Sequence, residues 1–457
     1  MRPGAGATDP DTLLRLHERH PGRYPVLLES VGGGLELGRH DLLFALPGDV
    51  LLQHADGRIE GPAAAAGHTR FLAALDACWR TERDHARHAN RAGGSPFTGG
   101  WFLYLGYELA GEIEPTLRLP ASRLPRAVAW RMHGCVVRDR QTGELTLHAE
   151  AGSEERLRTE FGAHLAETQA TAGPVARAAV IDGDVSEEPA ERFVQGVRAV
   201  LEAIGRGDVY QANLSRSWQA RLAAGATTAD LYRRLRAANP APFAGSAVLP
   251  GFALLSSSPE RLLRIRGNVA STRPIAGTRP RGESALRDEA LRTELRLNEK
   301  EQAEHVMLVD LERNDLGRIC RGGTVQVDEF MTIETYATVH HIVSNVRGEL
   351  RDGVTPGEAI AAVFPGGTIT GCPKVRCMEL LGDLEGTPRD AYTGSMGYLG
   401  RDGTLDLNIL IRTLAVRDGV VEFRTGAGIV ADSHPESELE ETRAKARGLL
   451  RALGSNA

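Results

Sequence analysis

NEKEQAEHVMLVDLERNDLGR (298–318) contains two carboxylates, Glu301 and Glu304, at i,i+3 spacing. On an α-helix this spacing places both side chains on one face, one above the other. Such a pair offers the oxygen ligands that a hard cation such as Mg²⁺ prefers. The plainer alternative is a solvated acidic helix face, which is the commoner meaning of one such pair in isolation.

A second pair with the same spacing, Glu438 and Glu441, lies far away in DSHPESELEETRAK (432–445). Ser433 stands three residues before a glutamate, which is the pattern of a capping box, and Pro435 suits the first turn of a helix. The sequence therefore predicts a second acidic helix face. Two such faces meeting across a cleft would form a cation site for a substrate that brings its own anionic oxygens.

Between these stretches the chain alternates strand-like and helical segments with Gly-rich turns. The apolar spacing over 193–204 predicts an amphipathic helix, and 209–218 reads as a strand. The order is not a regular βαβ alternation, and no GxGxxG follows a strand. We therefore expect an α+β fold with large antiparallel sheets and not a dinucleotide-binding fold.

The first part of the chain reads as short strands, turns and a few helices. We predict hairpins over 42–54 and 135–150, the second turning at Thr142–Gly143, and a helix over 62–80. The Ala-, Pro- and Gly-rich stretch 167–190 is the best candidate for a linker.

Composition bounds the class of protein. The 457 residues are 42% hydrophobic, which is enough for a sizeable core. The net charge of −6 and the lack of a Lys/Arg block argue against a nucleic-acid or membrane surface. Five cysteines without a CxxC predict reduced thiols, and no signal peptide or membrane-spanning run is visible, so we expect a cytoplasmic protein.

From about Ser186 to Ala452 the sequence resembles the chorismate-utilising enzymes, a family that includes anthranilate, aminodeoxychorismate, isochorismate and salicylate synthases. Eight ordered blocks carry the resemblance: GDVYQANLSR (207–216), TRPIAGTRPRG (272–282), EKEQAEHVMLVDLERNDLGR (299–318), VHHIVSNVRG (339–348), FPGGTITGCPKVRCMELL (364–381), YTGSMGYL (392–399), LDLNILIRT (405–413) and GAGIVADSHPESELEETRAKA (426–446).

The resemblance implies two large, mostly antiparallel β-sheets packed as a sandwich, with helices outside and the active site between them. It divides the chain into an N-terminal region, 1–170, and a chorismate-binding catalytic region, 186–452. It also implies a Mg²⁺ site with Glu304 and Glu441 as direct ligands, while Glu301 and Glu438 act directly or through water.

The same resemblance implies the residues that hold the substrate. Gly426, Ala427 and Gly428 would receive a chorismate carboxylate, since glycines let backbone N–H groups approach an anion; without the resemblance, a tight turn is the simpler reading. Arg412 and Tyr398 would anchor that carboxylate, Arg412 through its planar fork. Lys445, seven residues after Glu438 and on the same helix face, would reach a substrate carboxylate or neutralise the glutamates.

His341 matches the histidine that the family keeps beside the departing C4 hydroxyl. With an ordinary pKa it would donate a proton at neutral pH, whereas a lone histidine on an apolar strand is more often a core residue. Its neighbour His340 should be structural, because successive strand residues face opposite ways. Gly277 and Thr278 would line the substrate ring. Lys374 is either part of the site wall or a helix start packed under the sheet.

Two positions bear on which family reaction is expected. Relatives that use water carry a lysine base where this chain has Gln211, and glutamine cannot deprotonate water, so ammonia is the expected nucleophile. Four of the blocks are similar to aminodeoxychorismate synthases, which aminate C4 and lead to 4-aminobenzoate and folate. Ala276 disagrees, because many of those enzymes have a nucleophilic lysine there, and PIAGT is also the spelling of anthranilate synthases. Both products stay open.

The resemblance further implies a partner and a tryptophan pocket, which serves feedback inhibition in anthranilate synthases and can hold tryptophan as a structural ligand in aminodeoxychorismate synthases. The sequence has no glutaminase nucleophile motif, so ammonia would come from a separate glutamine amidotransferase subunit in a heterodimer. YPVLLES (24–30) resembles the family's tryptophan pocket, with Leu28, Glu29 and Ser30 as candidate lining residues. An ordinary strand is the alternative.

Overall fold

The computed structural model describes residue 9 and residues 11–32, 38–83, 95–170, 179–336 and 339–455. Its helices, in chain order, are α1 (Thr12–Arg19), α2 (Phe71–Glu82), α3 (Ala110–Ile113), α4 (Glu154–Ala170), α5 (Ala190–Gly205), α6 (Thr228–Ala238), α7 (Ala285–Leu297), α8 (Glu299–Gly317), α9 (Pro356–Val363), α10 (Lys374–Glu385) and α11 (Pro435–Leu453). Short 3₁₀ turns span Ala63–Ala65, Tyr107–Leu109 and Gly367–Ile369.

The strands, in chain order, are β1 (Val26–Glu29), β2 (His40–Gln53), β3 (Ile59–Glu60), β4 (Gly100–Leu105), β5 (Ala127–Asp139), β6 (Leu145–Ala149), β7 (Ile181–Glu187), β8 (Gln211–Leu222), β9 (Phe243–Leu249), β10 (Phe252–Ser258), β11 (Arg261–Arg266), β12 (Val269–Arg273), β13 (Ile275–Pro280), β14 (Gln326–Thr335), β15 (Val339–Glu349), β16 (Gly371–Cys372), β17 (Ser395–Gly400), β18 (Leu405–Asn408), β19 (Thr413–Arg417) and β20 (Val420–Ile429).

The strands form one continuous antiparallel order. One half runs β14–β15–β12–β11–β18–β17, with β13 also on β15. The other half runs β9–β10–β19–β20–β8, with β7 and β16 on β8. The strands β4–β5–β2–β1 join the two halves, because β4 pairs with β17 and β1 pairs with β9. The expected α+β class with large antiparallel sheets is confirmed.

Buried side chains show how the two halves pack. Val26, Phe44, Phe102, Leu254 and Met396 belong to one buried cluster, although they come from β1, β2, β4, β10 and β17. Two other clusters lie between the sheet and the helices: one includes residues of α2, α8 and α9, and the other includes residues of α1, α6 and α11. The helices therefore cover the outer faces. The division into regions 1–170 and 186–452 stays a prediction. Two strand pairs, β1–β9 and β4–β17, form hydrogen bonds between these regions.

Several local expectations for the first part of the chain need correction. The stretch 42–54 is not a hairpin: both of its halves pair with β5, and the strand only bends at a bulge between Pro47 and Val50. The hairpin over 135–150 is confirmed as β5–β6. The helix expected over 62–80 begins only at Phe71, since Gly67 takes a left-handed conformation with φ +80° that interrupts it.

The linker expected over 167–190 is only partly irregular. Helix α4 extends to Ala170, and β7 (Ile181–Glu187) pairs with β8, while residues 171–178 lie outside the described part. The amphipathic helix over 193–204 is confirmed as α5, with Phe193 and Val197 buried against β8.

Candidate active site

The glycine stretch 426–428 is part of a strand. The sequence predicts a turn after a strand, but the stretch lies inside β20, where Gly426 pairs with Ser215 and Gly428 with Asn213 of β8. Close approach explains the glycines. A Cβ on Gly426 would lie 2.5 Å from Asn213 Oδ1, and a Cβ on Gly428 would lie 2.5 Å from Gln211 Nε2.

Tyr392 borders the same glycine, because a Cβ on Gly426 would lie 2.7 Å from the Tyr392 hydroxyl. Lys445 of α11 reaches the strand from another side and donates from Nζ to the Gly426 carbonyl at 3.0 Å. The glycine strand is thus surrounded by two amides, a phenol and an ammonium group. This collection can bind a polar, anionic ligand.

Arg412 is the electrostatic centre of the region. The charge of its guanidinium acts on Glu260, Glu441, Tyr392 and His341. Burial lowers the pKa of Arg412 from its ordinary value, although the group remains cationic at neutral pH. Its backbone has φ +53°, a left-handed conformation that costs free energy in a non-glycine residue and is found most often at functional sites.

Glu260 is a carboxyl group near Arg412 whose pKa is strongly shifted. Its side chain is 4% exposed, and Oε1 accepts a hydrogen bond from the Ile275 backbone N–H at 3.2 Å. Burial raises the pKa of Glu260 to about 8, with Glu312 adding to the effect. Glu260 therefore carries a proton at neutral pH, although no sequence pattern singles this residue out.

His341 lies where the motif predicts, but in another protonation state. Its Nδ1 lies 2.9 Å from Thr278 Oγ1 across the β13–β15 pair. Burial first, and Arg412 next, lower the pKa of His341 to about 4, so the imidazole is neutral at pH 7. The expectation of an ordinary pKa for His341 is wrong. His340 is buried between Thr335 and Asp288, in the structural place that was expected.

The first carboxylate pair lies on α8, as predicted. Asn298 caps the helix by accepting from the Glu301 N–H at 3.0 Å. Gly277 has φ +72°, and a Cβ there would lie 2.9 Å from Glu301 Oε2, so the bulged strand β13 touches this carboxylate. The other oxygen of Glu301 accepts from Arg279 Nη1 at 3.1 Å. Glu304 follows one turn later and is partly buried.

The second pair lies on α11, also as predicted. Glu438 is 7% exposed, and Glu441 forms an ion pair with Lys445 at 2.6 Å. The predicted capping box is wrong, because the Ser433 hydroxyl accepts instead from the Val430 N–H and the helix begins after His434. Pro435 does occupy the first turn.

The two acidic faces border one set of side chains. Glu301 contacts Gly277, next to Thr278 and His341, while Glu441 acts on Arg412. The donor chemistry fits Mg²⁺, since both faces offer only carboxylate oxygens. No group of three or more His, Cys, Asp or Glu side chains is gathered closely enough to hold a metal within the described ranges. Water and substrate oxygens would complete the shell.

The family model of chorismate binding enzymes matches residues 48–451. The chain belongs to the chorismate binding enzyme family. The aminodeoxychorismate synthase component 1 of Bacillus subtilis is 38% identical over 464 residues, which cover 97% of this chain and 95% of that protein. An anthranilate synthase component I-like protein of Synechocystis sp. is 44% identical over 361 residues, covering 78% of this chain and 73% of that protein.

A solved structure agrees with this assignment. The anthranilate synthase component I from Streptococcus pneumoniae TIGR4 superposes with a TM-score of 0.80 at 29% identity, and the match covers 90% of this chain and 92% of that one. In the described residues, no helix combines the length and apolar character needed to cross a membrane.

Tyr398 and Tyr392 have different surroundings in this family member. The Tyr398 ring packs 5.7 Å from Phe97 and 6.3 Å from Phe44, in the core between the sheet halves. The charged groups with the largest effect on its pKa are Asp406 and the arginines of β11. These surroundings give no support to Tyr398 as the carboxylate anchor. Tyr392, six positions earlier in the same motif, faces Gly426.

Lys374 is the first residue of α10, and its ammonium group makes contacts within the protein. Its Nζ forms an ion pair with Asp315 at 2.5 Å and donates to the Val363 carbonyl at 3.2 Å. Burial, together with Asp315, raises the pKa of Glu312 on the same helix α8 to about 7. Two roles were left open for Lys374. Its contacts are those of a helix start packed under the sheet.

The LLES stretch forms β1 and joins the sheet. Glu29 is 4% exposed, and its carboxylate accepts from Tyr232 Oη at 2.7 Å and from Arg236 Nη1 at 2.9 Å on α6. The Ser30 N–H donates to Asp41 Oδ1 at 3.2 Å. Leu28 packs against Gly245 of β9, where a Cβ would lie 2.8 Å from its Cδ2. A tryptophan ligand at this place stays a prediction.

Proposed function

We propose that the chain aminates chorismate at C4, giving 4-amino-4-deoxychorismate, with ammonia supplied by a glutamine amidotransferase subunit. The observation that carries this proposal is the similarity to an aminodeoxychorismate synthase component 1 across 97% of the chain. The sequence matches to anthranilate synthase components cover 78–79% of the chain in most cases, and 58% in one, whereas the structural match to an anthranilate synthase component I covers 90%.

Binding is assigned to the residues around the glycine strand. Arg412 would pair with a chorismate carboxylate through its planar fork, and Tyr392 would donate to the same group or to its neighbour. Gly426 and Gly428 let Asn213, Tyr392 and Gln211 approach the strand closely, since a Cβ on either glycine would lie within 2.7 Å of one of these side chains. Lys445 holds the strand in place through the Gly426 carbonyl.

Amination at C4 replaces a hydroxyl group by an amino group. The C4–O bond breaks and the hydroxyl leaves as water after it takes a proton, while ammonia forms the new C–N bond and loses a proton. Glu260 is our candidate for the proton donor, because its raised pKa keeps it protonated at neutral pH and the charge of Arg412 acts on it. The neutral His341 can donate only an N–H hydrogen bond.

The proposal includes Mg²⁺ as a cofactor. Glu301, Glu304, Glu438 and Glu441 would hold it, and when bound it would offset the negative charge of the substrate oxygens.

Ammonia is the proposed nucleophile because Gln211 provides no base at the strand beside Gly428. Water would need a base to attack, whereas ammonia attacks as it is. The relatives are named component 1. This name is consistent with a second subunit that releases ammonia from glutamine. All five cysteines are free thiols, in keeping with the cytoplasmic location proposed from the sequence.

Anthranilate formation is the second candidate, and Ala276 favours it. The side chain of Ala276 is buried opposite Ile342 in the β13–β15 pair and offers no nucleophile. If C4 is aminated without a lysine here, ammonia must reach the ring directly. No covalent adduct should then form during turnover.

Product analysis separates the two candidates. The purified chain is incubated with chorismate, Mg²⁺ and ammonium, and the products are identified by mass before and after a separate aminodeoxychorismate lyase is added. We expect a product that keeps its pyruvyl ether, no pyruvate before the lyase, 4-aminobenzoate after it, and an unmodified protein mass throughout. Pyruvate and blue-fluorescent anthranilate without any lyase would establish the second candidate instead.

A further inference from the structure

Glu108 is a buried carboxylate of the N-terminal part that the proposed chemistry does not use. It lies in the 3₁₀ turn Tyr107–Leu109 and is 4% exposed. Its Oε1 accepts from the Arg389 backbone N–H at 2.7 Å, and its Oε2 accepts from the Asp390 N–H at 3.1 Å. A side chain from the first quarter of the chain thus binds the backbone of the segment that leads to Tyr392.

That segment is a strained turn. Asp390 has φ +51° and Thr393 has φ +61°, so two non-glycine residues on either side of Tyr392 take left-handed conformations. Such conformations persist only where surrounding contacts hold them. The Thr393 N–H also donates to the Leu410 carbonyl at 2.8 Å, which ties the turn to the segment that carries Arg412.

The contacts between the turn and the N-terminal part run in both directions. The Tyr107 N–H donates to the Asp390 carbonyl at 2.8 Å. The Asp390 carboxylate in turn accepts from the backbone N–H groups of Arg123 at 2.8 Å and Leu124 at 3.1 Å. Glu108 therefore caps the 389–390 backbone, while the Asp390 carboxylate caps the 123–124 backbone of the N-terminal part.

The turn also reaches the strand beneath the glycines. The Arg389 guanidinium is buried, donates to the Asn213 carbonyl at 2.6 Å, and lies over the Tyr107 ring at 4.8 Å. Displacing the 389–390 backbone would therefore move two things at once: the phenol of Tyr392 and the support of β8.

We propose that Glu108 is a positioning residue for the substrate site: it fixes the turn 389–393 and thereby holds Tyr392 against Gly426. The inference rests on the proposed function only in taking chorismate as the ligand of that site. The N-terminal part then contributes to substrate binding through this turn as well as through the strands it inserts into the sheet.

The test compares three variants: Glu108→Gln, Glu108→Asp and the matched control Glu112→Gln. Glu112 also lies in the N-terminal part and accepts two backbone N–H groups, from Phe71 at 2.6 Å and Leu72 at 3.0 Å, but it caps α2 and not the turn. Thermal unfolding and steady-state kinetics with chorismate, Mg²⁺ and ammonium are measured for each variant.

We expect the Glu108 variants to raise the KM for chorismate about three- to tenfold and to leave kcat within about twofold. This is the effect expected when one ordinary hydrogen bond is lost that stabilises the ground state and the transition state equally. Glu112→Gln should lower Tm without changing KM. Glu108→Asp keeps the carboxyl group, so it remains a test if Glu108→Gln does not fold. An unchanged KM in a folded Glu108 variant, or an equal rise in Glu112→Gln, overturns the inference. A wild-type chain that neither binds nor converts chorismate refutes the proposed function itself.

Discussion

Glu260→Gln is the most informative single substitution, because it separates proton donation from binding. Glutamine has nearly the same shape but cannot give up a proton, while Arg412 and the glycine strand stay in place. We expect kcat to fall by about 10²- to 10⁴-fold, the usual range for a lost general acid, with little change in chorismate affinity measured by calorimetry. Near-normal turnover in Glu260→Gln would remove Glu260 from the proposed reaction.

The same substitution should change how stability depends on pH. The pKa of Glu260 rises from 4.5 to about 8 on folding, so its contribution to stability is fully present below pH 4.5 and is lost as the pH rises towards 8. From pH 5 to pH 7 this loss amounts to about 2.5 kcal/mol in the free energy of unfolding, at about 1.4 kcal/mol per pKa unit. Glutamine does not titrate, so the variant should lack this decline.

Urea unfolding of both proteins at pH 5 and pH 7 measures the difference. The other titrating groups, including Glu312 with its pKa of about 7, are present in both proteins, so most of their effect cancels. Identical pH dependence for wild type and variant would mean that Glu260 is ionised in the folded protein, and the assignment of the proton donor would be wrong.

Four further outcomes are expected. Glu304→Ala should abolish turnover with an unchanged circular dichroism spectrum, and normal activity at limiting Mg²⁺ would exclude it as a ligand. Arg412→Ala should raise the KM for chorismate about tenfold or more, since a charge-assisted contact contributes about 1.5–3 kcal/mol. Tyr392→Phe should raise that KM about three- to tenfold whereas Tyr398→Phe should not, and the reverse result would restore Tyr398 as the anchor. Gln211→Lys should yield traces of isochorismate by mass, and isochorismate from the wild type would contradict the choice of ammonia.

The helices with the acidic pairs could be predicted because their signal is local. An i,i+3 pair needs only helical periodicity, and the flanking residues Asn298 and Pro435 suit helix starts. Even so, the capping box at Ser433 was wrong, because the hydroxyl found a nearer donor in the Val430 N–H. Local patterns of this kind predict where a helix lies, but they predict the hydrogen bonds at its ends poorly.

The properties of Glu260 and His341 could not be read from the sequence, because long-range burial sets them. Glu260 is enclosed by backbone from Ile275 and Ile409, and its charge responds to Arg412, which lies more than a hundred residues away in the chain. Burial of His341 likewise lowers the pKa of its imidazole. A motif names the residue type, while the packing of distant strands decides its protonation state.

The order of the strands explains why the site depends on the whole chain. The glycine strand β20 with β8 lies near one end of the continuous order, and β13 with β15 lies near the other. Arg412 and Thr278 belong to these opposite ends, yet His341 on β15 feels the charge of Arg412, so the two ends lie together in space. The strands β4–β5–β2–β1 connect the halves, since they alone among the described pairings join β17 to β9. The 186–452 region contains the reactive groups, and the N-terminal strands complete the hydrogen-bonded strand order between its two halves.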